Sequence, residues 1–169
     1  MGRASVRENK NLYHLAREEL GLSREKASEL LETITPDRLE KIESEKTLPH
    51  ADEVLLMAAK YKRPSLCNYH CSQQCPIGKE YVPQVEIKEL SAIVLEMLAS
   101  LNSVGKMKDR LVEIAADGKI DNDEIDDFIS IQNELERISV TVETLQLWAE
   151  KMLANGVIDP EVYQARKRR

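Results

Sequence analysis

Apolar positions in the first part of the chain recur at helical spacing, in short blocks separated by turn signals. Leu12, Leu15, Ala16 and Leu20 lie on one helical stripe, and Gly21 follows as a C-terminal stop. Ser23 starts a second helix whose apolar face is Ala27, Leu30 and Leu31. A third opens at Thr35-Pro36-Asp37. Thr is a favoured N-cap, Pro suits the first helical position, and a carboxylate suits the positive end of the helix dipole. Leu39 and Ile42 then point inward. Pro49 closes a loop, and Ala51, Val54, Leu55, Ala58 and Ala59 mark a fourth helix. Short helices joined by tight turns predict an all-α domain over residues 1–65.

The pattern lengthens after Pro83. Leu90, Val94, Met97, Leu98 and Leu101 make an apolar stripe to about residue 103, and Met107, Leu111, Ile114 and Ala115 mark a shorter helix. Asp117-Gly118 is a turn. Residues 122–155 contain no Gly or Pro, and Leu135, Ile138, Val142, Leu145, Ala149 and Met152 follow the spacing of a coiled-coil a/d seam. Such a helix spans roughly 50 Å at 1.5 Å per residue. Asn155-Gly156 ends it. Residues 85–157 therefore predict an antiparallel helical hairpin or a three-helix bundle. Its seam pairs either within one chain or between two, and a homodimer is the expectation. Between the two regions lies a Cys/Pro-rich connector, 66–84. Residues 158–169 read as a basic, solvated tail ending in Arg166-Lys167-Arg168-Arg169.

Composition agrees with a folded, helix-rich chain: of 169 residues, 42% are hydrophobic and 32% charged, with only six Gly and six Pro. The formal net charge is −6, with 24 basic and 30 acidic residues. Residues 1–65 are neutral, holding 12 of each sign, so the remainder supplies the whole excess. This balance argues against nonspecific coating of nucleic acid but permits a local DNA-reading surface. The start, MGRASVRENK, does not read as a secretory signal, and no stretch reads as a membrane span. The expectation is a cytoplasmic protein with no membrane partner and with reduced thiols.

The ordered set Leu22-Ser23-Arg24-Glu25, Ala27, Leu30, Leu39, Ile42-Glu43, the loop Ser44-Glu45-Lys46-Thr47-Leu48-Pro49, and Val54 to Ala59 resembles the phage-repressor/Cro-like, or XRE-type, helix-turn-helix family. The likeness covers about residues 11–61. It implies a transcriptional regulator that binds double-stranded DNA, with the helix at 35–43 entering the major groove. Thr35, Asp37, Arg38 and Lys41 then lie on or near the DNA face, Arg38 being suited to guanine and Asp37 to cytosine. Arg24, where the family usually has Gln, would meet phosphate or a base edge, and Lys46 would meet phosphate. The turn around Glu32-Thr33-Ile34 is expected to be longer than the family's. The competing reading is a helical protein-interaction module with the same fold, since fold alone does not fix function.

All three cysteines fall in Cys67-Asn68-Tyr69-His70-Cys71-Ser72-Gln73-Gln74-Cys75-Pro76. Thiolates and imidazole are zinc donors, so Cys67, His70, Cys71 and Cys75 form a candidate zinc or redox site. On a continuous helix residues 67, 70 and 71 share a face, but residue 75 lies about 12 Å along the axis from residue 67. A mononuclear site therefore requires a helix break, which Pro76 favours at Cys75. The alternative is that the thiols are small buried hydrophobes. No required cofactor and no enzymatic activity are expected. The chain holds no Gly-rich phosphate loop and no Gly-x-Ser-x-Gly, and His14, His50 and His70 are far apart in sequence.

Overall fold

Capping residues set the helix boundaries. Asn11, Ser23 and Thr35 each accept a hydrogen bond from the backbone N–H three residues on, opening α1 (Leu12–Glu19), α2 (Arg24–Leu31) and α3 (Pro36–Glu43). At α4 (Ala51–Lys60), Glu53 reaches back to accept from the His50 N–H at 2.7 Å. The far ends of α1, α3 and α4 close as Schellman motifs. The chain turns left-handed at Gly21, Glu45 and Lys62, and the N–H of each of these residues and of the residue after it satisfies an orphan carbonyl of the last turn. The computed structural model describes residues 10–167. Among them the protein is all-α, with α5 (Ser65–Gln73), α6 (Pro76–Tyr81), α7 (Leu90–Ile114), α8 (Ile125–Ala154) and α9 (Pro160–Lys167) completing the order.

The described residues divide into two compact units, one holding residues 10–84 and 149–167 and the other residues 85–148. In the first, the apolar faces read from the sequence meet only in part: Leu15, Leu20, Leu30 and Leu55 are exposed, and Tyr13, Met57 and Tyr61, which the spacing did not single out, complete the core. Tyr13, Ala16, Ala27, Leu31, Ile34, Leu39, Ile42, Val54, Met57, Ala58, Tyr61 and Leu66 are all buried there. Each large aliphatic side chain so removed from water contributes about 1.5–3 kcal/mol. Tyr13 sets its ring edge-on to Tyr69, and its hydroxyl donates to Gln74 at 2.8 Å. Burial pushes the Tyr13 and Tyr61 phenols well above their ordinary range.

Residues 66–84 are not a connector. Leu66 belongs to the core, and Cys67 and Tyr69 pack against it. The Cys and Pro content misled because α5 has little apolar periodicity of its own and is held by tertiary contacts. α6 crosses α5 closely at Gly78, where an added Cβ would lie 2.0 Å from the Cys71 carbonyl oxygen. Residues 158–169 differ too: Pro160 starts α9 with Asp159 capping its first turn, so Arg166 and Lys167 are helical, while Arg168 and Arg169 lie outside the described residues.

In the second unit the two helices expected over 90–115 are one. Gly105 lies mid-helix, where an isolated Gly is tolerated. α7 and α8 are joined by residues 115–124. Arg110 near the end of α7 donates to Asp127 in the first turn of α8 at 2.6 Å, so the chain doubles back as an antiparallel hairpin. Ile93, Ser100 and Ile114 are buried along α7, and Ile131, Thr141, Thr144 and Leu147 along α8. The two threonines bond to carbonyls four residues back, which satisfies their hydroxyls within the helix. By length and composition α7 also qualifies as a bilayer span, which the sequence pattern had not suggested.

Gly78→Ala is expected to destabilise the protein by about 1–3 kcal/mol, because the clash is with backbone rather than a movable side chain. Urea denaturation followed by circular dichroism measures it, and an unchanged midpoint would contradict the close crossing.

Candidate nucleic-acid interface

α2 and α3 are adjacent and joined by a tight turn. Glu32 closes α2 with a positive φ of 63°, Thr33 bonds to Leu31, and Ile34 drops into the core. The turn falls on the Glu32-Thr33-Ile34 stretch singled out in the sequence. It costs a left-handed non-glycine residue and is anchored by Ile34.

α3 is fastened at both ends by ion pairs. At its C-terminus the Glu43 carboxylate is almost wholly buried, although a negative charge is disfavoured at that pole of the dipole. Three donors compensate it. Arg17 Nε and Nη2 donate to its two oxygens at 2.5 and 2.9 Å, and Arg24 Nε donates at 2.9 Å. The Arg17 guanidinium also donates to the Leu22 carbonyl, and Asn11 donates to the Ile42 carbonyl at 2.8 Å. α1, the start of α2 and the end of α3 are thereby joined through one carboxylate. His14 is buried beside it, with Nε2 3.0 Å from Glu18.

Toward the N-terminus of α3, Arg38 makes a two-pronged pair with Glu53, at 2.8 and 2.7 Å, and donates to the Thr47 hydroxyl and the Leu48 carbonyl. It ties α3 to the following loop and to the start of α4. The hydrogen bonds from Arg38 hold the Glu53 carboxyl below the usual carboxylate range.

The residues singled out from the sequence therefore divide. Thr35, Asp37 and Lys41 are exposed on α3, with Asp37 and Lys41 one turn apart. Lys46 is exposed and paired with Glu40 at 2.9 Å. Arg24 is partly exposed, with its Nε committed to Glu43. Arg38, assigned to guanine, has its Nε and both Nη nitrogens engaged within the chain. Lys26, in the first turn of α2, is an exposed cation the sequence reading passed over. The signal for the Arg38 pair was Glu53 at capping-box spacing from His50. Nothing local signalled the Arg17–Glu43 pair, whose members are 26 residues apart.

The cysteine segment breaks where Pro76 predicted. α5 ends at Gln73, and Cys75 is extended and caps α6. The break does not gather the ligands. The His70 ring lies 3.2 Å from Gln74, all three thiols are free and partly buried, and among the described residues no group of three His, Cys, Asp or Glu is placed to hold a metal. Burial, and then the nearby Glu150 carboxylate, push the Cys67 thiol up, opposite to what an activated thiolate needs.

Glu43→Ala is expected to cost about 3–5 kcal/mol, because it strands the buried Arg17 charge. Arg17→Met with Glu43→Leu should recover most of that loss, and failure to recover would remove the burial argument. Glu53 gives a pH test. Its folded-state value is depressed, so its stabilisation is full above the ordinary carboxylate pKa near 4.3 and disappears as pH falls through the lower folded value. Thermal melts from pH 6 to pH 3 should show a shallower acid loss in Glu53→Gln, and equal slopes would contradict the pairing. Comparisons with protein families, with curated proteins and with solved structures find no match to this chain.

Proposed function

We propose that the chain is a double-stranded-DNA-binding regulator that presents α3 to the major groove, with two copies joined through the α7–α8 hairpin. The observation that carries this reading is the fixed presentation of α3. It lies between α2 and α4, is fastened at both ends by ion pairs, and carries Thr35, Asp37 and Lys41 exposed on its outer surface. Such rigidity suits groove reading, where side chains must meet base edges at set positions. Lys26, Lys41 and Lys46 take the phosphate contacts, and Thr35 and Asp37 approach base edges. Arg38 acts by holding the loop that carries Lys46.

A second reading, docking to a basic protein surface, is favoured by one observation. Residues 22–47 hold seven acidic against five basic side chains. Their field opposes phosphate, so one copy binds DNA weakly and affinity depends on two linked copies.

Fluorescence anisotropy against random-sequence duplex DNA at low and moderate salt separates the two. Three lysine–phosphate contacts per copy predict a log–log salt slope near −3 per bound copy. Lys41→Glu with Lys46→Glu should abolish binding without loss of helicity, since neither side chain is buried. No binding at low salt by a folded protein would remove the DNA reading and leave the protein-docking one.

A further inference from the structure

The α7–α8 hairpin buries one face of each helix and leaves a second apolar stripe on each without a partner. On α7 the stripe is Val94, Leu98, Leu101 and Val112. On α8 it is Leu135 and Val142, the outer half of the seam read from the sequence. These six side chains are 38–64% exposed. At 100° per residue, each stripe is rotated from its helix's buried face in the direction in which the helix advances. The helices are antiparallel, so equal senses of rotation bring both stripes to the same side of the hairpin.

We infer that this composite side pairs with the same side of a second copy, forming a four-helix bundle from two hairpins. The inference rests on the dimeric reading above and specifies its face. Three observations single out a second copy as the occupant. First, Val94, Leu98, Leu101 and Val112 fall on one series of helix–helix seam spacing on α7, with Gly105 and Lys108 at its two intervening positions, and Leu135 and Val142 lie beside Ile138 and Leu145 on α8. Second, the six side chains expose roughly 500 Å² of apolar surface, near the upper limit for a lone soluble chain. Two such faces in contact remove about 1,000 Å², the threshold for a specific interface.

Third, Gly105 falls on the α7 stripe. A Cβ there would meet nothing within 4 Å, and the residue does not have the positive φ that would call for glycine. A mid-helix glycine weakens the helix, and nothing within the chain needs it. A second helix backbone approaching the stripe does.

Charge sets the orientation. Residues 85–148 carry 14 acidic against 6 basic side chains. Asp117, Asp121, Asp123, Glu124, Asp126 and Asp127 crowd the hairpin turn. Like charges repel, so the two turns lie at opposite ends of the bundle and salt strengthens the pairing. A bilayer is the other surface α7 could cover by composition. The excess of acids opposes adsorption to anionic lipid.

Sedimentation equilibrium of the full chain, without DNA, tests the pairing separately from DNA binding. The expected result is a dimer that tightens between 50 mM and 500 mM salt. Leu98→Glu with Leu135→Glu should yield a monomer of unchanged helicity. Gly105→Leu should raise helicity yet weaken the dimer at least tenfold. A wild-type monomer at tens of micromolar would overturn the inference. So would a dimer indifferent to both variants, or wild-type chain that floats with phosphatidylcholine/phosphatidylglycerol vesicles as a monomer.

Discussion

The buried carboxylate of Glu43 is the interaction on which the first unit depends. It sits at the unfavourable end of α3 and out of water, so it is tolerable only with its donors in place. Arg17 brings α1 to it and Arg24 brings α2. The orientation of three helices is therefore set by one charge whose neutralisation requires all of them. A hydrophobic contact would allow sliding among near-equivalent packings, whereas a two-pronged guanidinium–carboxylate pair fixes distance and plane. Apolar burial supplies the larger share of the stability, and the ion pair selects which packing is adopted.

Arg38 and Glu53 do the corresponding task at the other end of α3, nearer solvent. The side chain that looked most like a base reader is thus an internal strut, and the surface left for a ligand consists of short polar groups and flexible lysines. That redistribution weakens the electrostatic case for DNA while strengthening the geometric one. The helix is held rigidly, but it is sparsely furnished with charge, and this is why joining two copies matters to the proposed function.

Much of the fold was legible because its signals are local. Ser23 and Thr35-Pro36 open helices through their own side chains or ring, and Gly21 closes one through its conformational freedom. The spacing of Leu39 and Ile42 reports burial directly, whereas on α1 only Ala16 of the expected stripe is fully buried and Leu15 and Leu20 are exposed. The rest was set by partners distant in sequence. α5 was misread because Leu66 is its one fully apolar anchor, and the neighbouring Cys67 and Tyr69 take their environment from α1 and the core. The α8 seam was read at the right spacing but not the right facing. Ile131, Thr141 and Thr144 pack within the chain, while Leu135 and Val142 face outward. Periodicity gives the stripe, and only the position of α7 decides which edge of it is covered. The candidate site was legible as a set of exposed positions, except where Arg38 and Arg24 found carboxylates beyond local reach.

The central claim is that α3, held by Glu43 and Arg38, presents the DNA-reading surface. Backbone amide chemical shifts recorded by NMR while duplex DNA is added test it most directly. The account predicts that changes concentrate at residues 24–26, 35–41 and 46, while amides of 85–148 stay in place. Changes confined to the hairpin, or none at saturating DNA in low salt, would contradict it.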